Sequence, residues 1–68
     1  MWIIKMTKEV AGAMDAGATT REEISMLLDL KGSDQLDLRL CLSQGVENNY
    51  WSTDAYAYTL TETGRKLL

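Results

Sequence analysis

Apolar positions in the first part of the chain fall at Ile3, Met6, Val10, Ala13 and Met14, three or four apart, the spacing of a helix that buries one stripe. Asp15-Ala16-Gly17 ends that pattern, with Gly17 suited to a left-handed cap, and Ala18-Thr19 makes a short extended link. Thr20-Arg21-Glu22-Glu23 then reads as a capping box. The Thr20 hydroxyl can accept the Glu23 amide, the Glu23 carboxylate can reach back, and both acids favour the positive end of the helix dipole. A second helix starts there, buries Ile24, Leu27 and Leu28, and stops around Leu30. Lys31-Gly32-Ser33 is a tight turn, Ser33 is the expected N-cap of the next element, and Asp34 lies in its first turn.

Residues 35–43 carry two signals at once. Leu36, Leu38, Leu40 and Leu42 alternate with Asp37, Arg39 and Cys41, which by period alone writes a strand. Leucine is a strong helix former, however, and the segment lies between a serine cap and a glycine, so a third helix ending at Gly45 is predicted. Beyond Gly45-Val46, Tyr50-Trp51, a turn at Ser52-Thr53-Asp54, and an alternating run from Ala55 to Leu60 predict a β-hairpin. Its second strand puts Tyr56, Tyr58 and Leu60 on one face. A short helical turn from Glu62 closes the pattern. The predicted fold class is α+β in one domain over residues 1–68, with Ile3, Met6, Val10, Ile24, Leu27, Leu28, Leu38, Leu42, Tyr58 and Leu60 in the core.

Composition narrows the function classes. At 68 residues only about 60% of the unfolded chain's surface can be buried, so a domain of this size needs help to be stable. With one cysteine and no histidine, neither an internal disulfide nor a tetrahedral metal site is expected, which leaves a partner subunit as the helper. The lone Cys41, with no secretion signal, points to a reducing compartment and a cytoplasmic location. The apolar start, Met1-Trp2-Ile3-Ile4, is broken by Lys5, Lys8 and Glu9 well before the roughly 20 residues of a membrane span.

The chemistry of catalysis is poorly supplied. No Ser-His or Cys-His pair can be built without histidine, Glu22 and Glu23 diverge on a helix, and the glycines form no phosphate-binding loop. An enzyme and a bound cofactor are therefore not expected. A net charge of −3 also counts against a simple basic footprint for nucleic acid, although the seven lysines and arginines can still gather on one surface.

Four pieces of the chain together resemble a winged helix-turn-helix domain of small bacterial and phage transcriptional regulators. Thr20-Arg21-Glu22-Glu23-Ile24 with Leu27 is similar to the start of that family's second helix, and Lys31-Gly32-Ser33 to its turn. Leu38, Cys41, Gly45 and Val46 resemble the Leu-x-x-Leu-x-x-x-Gly-Val ending of its recognition helix. Tyr58-Thr59-Leu60-Thr61-Glu62-Thr63-Gly64-Arg65 resembles the strand and cap that close the wing. The likeness implies a third helix in a major groove, a hairpin against phosphate or minor groove, and regulation by occupancy of double-stranded DNA.

On that reading the DNA-facing candidates are Arg21, Lys31, Ser33, Gln35 and Arg39 from the helical part and Asn49, Ser52 and Thr53 from the wing. Gln35 has the geometry to pair with adenine and Arg39 with guanine. Asp34 and Asp37 depart from the pattern, because carboxylates are repelled by phosphate, and the wing tip lacks an anchoring arginine. Leu36 and Leu40 point away from a helix face that buries Leu38, Cys41 and Leu42. Either the helix is rotated, or these leucines, with Trp2, form a dimer or protein-partner surface. That second possibility makes the alternative function a protein-interaction module with an acidic, leucine-rich surface.

Overall fold

The computed structural model describes residues 2–68, with side chains from residue 5 onward. The expected burial of Ile3 and the interface role of the Trp2 side chain lie outside the described residues. The chain forms α1 (Trp2–Asp15), α2 (Arg21–Leu28), α3 (Asp34–Glu47), β1 (Trp51–Asp54), β2 (Ala57–Leu60) and α4 (Glu62–Arg65). This is an α+β arrangement in which one antiparallel hairpin follows the three longer helices.

Helix α1 buries Val10, Ala11, Ala13 and Met14. It ends where Gly17 takes φ +113°, which lets the Gly17 N–H reach the Met14 carbonyl at 3.0 Å and the Ala18 N–H reach the Ala13 carbonyl at 3.1 Å. The same pair of backbone bonds ends α2 at Asp29 (φ 54°) and α3 at Asn49 (φ 62°). Only the first of these stops uses glycine. Short polar side chains tolerate the left-handed conformation well enough to serve at the other two.

The α2 cap is formed as the sequence indicates. The Glu23 N–H donates to Thr20 Oγ1 at 3.1 Å and the Thr20 N–H to Glu23 Oε1 at 3.2 Å. The same carboxylate oxygen accepts from the Thr19 N–H and hydroxyl, both at 2.9 Å. Ile24 is fully buried, but Leu27 is 57% exposed, against the expectation that it packs in the core. Ser25 accounts for the difference: it meets Gln35 of α3, and turning the Ser25 side of so short a helix inwards turns Leu27 outwards.

Ser33 does not cap α3 with its side chain. It has helical dihedrals (φ −65°, ψ −18°) and makes no side-chain cap bond, so its hydroxyl is not aimed at the first-turn amides. The alternating leucines resolve as helix and split between faces: Leu38 and Leu42 are buried, while Leu36 and Leu40 are exposed. A strand would have placed all four together.

Gly45 is not the end of α3. The helix passes through it to Glu47, and Trp51 explains why the position is small. A Cβ on Gly45 would lie inside the Trp51 indole, nearest Cζ2 and Cε2. The buried indole Nε1–H donates to the Leu42 carbonyl at 2.9 Å, so the ring enters the core with its polar edge satisfied.

The hairpin pairs Trp51 with Leu60, Ser52 with Thr59, Thr53 with Tyr58 and Asp54 with Ala57. Its turn is therefore Ala55-Tyr56 rather than Ser52 to Asp54, and Ala55 takes φ +57° as a two-residue turn requires. Tyr56 consequently leaves the strand face predicted for it and stands at the tip. The Tyr58 N–H donates to the Thr19 carbonyl at 2.6 Å, which ties β2 to the link before α2. Thr61 caps α4 by accepting the Gly64 N–H at 3.1 Å, and its hydroxyl also reaches the Asn49 and Tyr50 carbonyls.

Candidate nucleic-acid interface

The sequence-selected residues do not form one patch. Arg21 from the start of α2, Arg39 from the middle of α3 and Thr53 from β1 line a common cleft of about 380 Å³, together with Ser43, Glu47 and Tyr58. The hairpin register produces this meeting. Thr53 lies directly across from Tyr58 and two residues from the buried Trp51, so both side chains share the face of the hairpin that looks towards α3. Among the described residues neither arginine is in an ion pair.

Arg39 and Ser43 also border a shallower groove with Leu36 and Leu40. These leucines are 66% and 49% exposed, so the outward side of α3 presents an apolar pair beside a guanidinium. Asp34 and Asp37, the two acids that weigh against phosphate, line a different groove with Lys5, Met6, Glu9 and Leu30. Their carboxylates are thus on the side of α3 that borders α1. Glu47 is the acid within the Arg21–Arg39 cleft.

Other candidates are placed elsewhere. Lys31 is exposed in the α2–α3 turn, 3.8 Å from Asp29. Such a solvated pair is a weak constraint on the lysine. Gln35 is half-buried, and its Nε2 donates to the Leu30 carbonyl at 3.0 Å and to Ser25 Oγ. In this arrangement the amide that a bidentate adenine contact needs is already committed to the turn. Ser33, Asn49 and Ser52 are exposed, and none lines the arginine cleft. Arg65 pairs with Asp15 at 3.6 Å, away from that cleft.

Two tyrosines were not selected from the sequence. Tyr58 lines the arginine cleft, and Tyr56 joins it beside Arg21 in a second one. The signal for Tyr58 was present in the strand alternation, whereas Tyr56 depended on the position of the hairpin turn.

Two titratable groups outside the arginine cleft are shifted by their surroundings. The Thr19 backbone amide, then the Thr19 hydroxyl and the Thr20 amide, hold the Glu23 carboxyl below its usual range by bonding its charged form. Burial pushes the Cys41 thiol up, opposed by a contact with Thr7 Oγ1 at 3.4 Å. A neutral buried thiol is a small hydrophobe rather than a nucleophile. Among the described residues, no cluster of His, Cys, Asp or Glu is arranged to hold a metal ion, and no helix is long and apolar enough to cross a membrane.

Comparison of the chain with family models, with curated proteins and with solved structures finds no match.

Proposed function

We propose that this chain is a winged helix-turn-helix module that binds double-stranded DNA and regulates by occupying a site, without catalysis. The element order supports it: α2, a tight turn and α3 precede a hairpin that packs back on α3 through Trp51. One observation carries the reading. Two arginines free of ion pairs among the described residues, Arg21 and Arg39, converge with Thr53 in the angle between α3 and the hairpin, where a phosphate backbone following that helix would run. The acids at the front of α3 border another groove.

Salt-dependent binding of a labelled duplex tests this. Each phosphate neutralised contributes a slope of roughly −0.9 in log K against log salt, so two arginine contacts give about −2. No binding to any duplex at low salt overturns the proposal.

The exposed Leu36 and Leu40 favour a second reading, in which the same face of α3 docks a protein partner or a second copy. The net charge of −3 suits a partner with a basic surface better than it suits DNA. Sedimentation of wild type against a Leu36→Glu, Leu40→Glu double variant tests the form of this reading in which a second copy is the partner.

A further inference from the structure

Arg21 and Tyr58 face two clefts, not one. On their far side lies a space of about 510 Å³, bounded by Thr20 and Glu22 at the start of α2 and by Ala55 and Tyr56 at the hairpin tip. The two walls are held at a set separation by backbone, because the Tyr58 N–H donates to the Thr19 carbonyl at 2.6 Å and Thr19 and Thr20 are in turn fixed by the Glu23 carboxylate.

The tip itself is costly to build. Ala55 adopts φ +57°, a conformation glycine takes without penalty and alanine does not, and the turn leaves Tyr56 89% exposed. A small polar turn such as Asn-Gly would make the same hairpin with neither feature. The same cleft is lined by a second, half-buried tyrosine, Tyr58, and by Arg21 and Glu22, whose side chains end in a guanidinium and a carboxylate.

That combination has the chemistry of a single unstacked nucleotide. Aromatic rings stack on the face of any base, a guanidinium binds its phosphate, and a carboxylate accepts from an exocyclic amino group. We propose that the cleft between the start of α2 and the hairpin tip takes one unpaired base, with Tyr56 and Tyr58 as the stacking surface, Arg21 on the phosphate and Glu22 on the base edge. The protein then prefers a duplex that carries a single-stranded extension. This rests on the duplex-binding reading for the paired part of the ligand, and adds a site beside it that shares Arg21, on the phosphate where the paired and unpaired parts meet.

Fluorescence anisotropy with three labelled probes tests it: a blunt duplex, the same duplex with a short cytosine extension, and the extension alone. Wild type is expected to bind the extended duplex about tenfold more tightly than the blunt one, from the stacking of one base. Tyr56→Phe keeps that preference, and Tyr56→Ala abolishes it with blunt-duplex affinity unchanged. Equal wild-type affinity for blunt and extended duplexes overturns the cleft and leaves the duplex reading standing. Binding of the extension without the blunt duplex does the reverse, and binding of none of the probes overturns both. A preference that survives in folded Tyr56→Ala also overturns the cleft.

Discussion

The Trp51 indole lies against Gly45 of α3 and donates its Nε1–H to the Leu42 carbonyl one turn earlier, at 2.9 Å. Through this contact the hairpin is joined to the third helix by packing and by a buried hydrogen bond, and not only by the chain between them. The angle between α3 and the hairpin, which forms the arginine cleft, depends on it. Gly64 plays a related part at the same open end of the hairpin, where a Cβ would collide with the Tyr50 carbonyl.

Gly45→Ala is expected to destabilise the fold by about 1–3 kcal/mol through overpacking, even though alanine raises helix propensity by about 1 kcal/mol. Urea unfolding followed by circular dichroism measures it. A midpoint equal to or above that of wild type would show that the ring does not occupy this site.

Ile24 and Leu27 should differ sharply. Ile24→Ala removes a fully buried side chain and is expected to cost about 2–5 kcal/mol. Leu27→Ala, on the solvent side of α2, should stay within about 0.5 kcal/mol. Thermal unfolding of the two variants checks the rotation assigned to α2, and equal losses would refute it.

For duplex binding, Arg39→Ala is expected to weaken binding and to reduce the salt slope by about 1, as the loss of one phosphate contact does. Arg21→Ala should weaken all duplexes alike and reduce the salt slope by about 1. Gln35→Ala should behave differently from both. Because its amide bonds to Leu30 and Ser25, the variant loses thermal stability while sequence preference is retained. A change of preference without a change of stability would return Gln35 to the base-reading set.

Leu36→Glu with Leu40→Glu tests whether the exposed side of α3 is a face between two copies of the chain. Burying two leucines contributes about 3–6 kcal/mol before association costs. If the second reading holds, wild type therefore sediments above monomer mass at high concentration and the double variant as a monomer with unchanged circular dichroism. A wild-type monomer at every concentration removes the homodimer.

Glu23 predicts an acid-side loss of stability. Its carboxyl is held below the ordinary range in the folded chain, so its contribution is complete above the unfolded value and disappears as the pH falls through the folded one. Glu23→Gln should flatten the pH dependence of the melting temperature on the acid side of the ordinary glutamate value. Parallel profiles for the two proteins would count against the bonding described at Thr19 and Thr20.

What the sequence determined by itself lies within a few residues of each signal. The Thr20–Glu23 box, the Gly17 stop and the antiparallel hairpin after the helices follow from local hydrogen bonding and period, because their partners are close in the chain. The leucine alternation became a helix for the same reason, since propensity acts residue by residue. Tertiary structure decided the rest. Gly45 looked like a helix stop because glycine is a local breaker, but its smallness serves the Trp51 ring. The hairpin turn moved to Ala55-Tyr56 because burying Trp51 and bonding Tyr58 to Thr19 select one register. Leu27 turned outwards and Gln35 became part of the α2–α3 turn through packing between two helices, which no single helical wheel contains. Arg21 and Arg39 are distant in sequence and belong to different helices. Their shared cleft exists only because α2, α3 and the hairpin pack together, which is why the residue types were legible and their meeting was not.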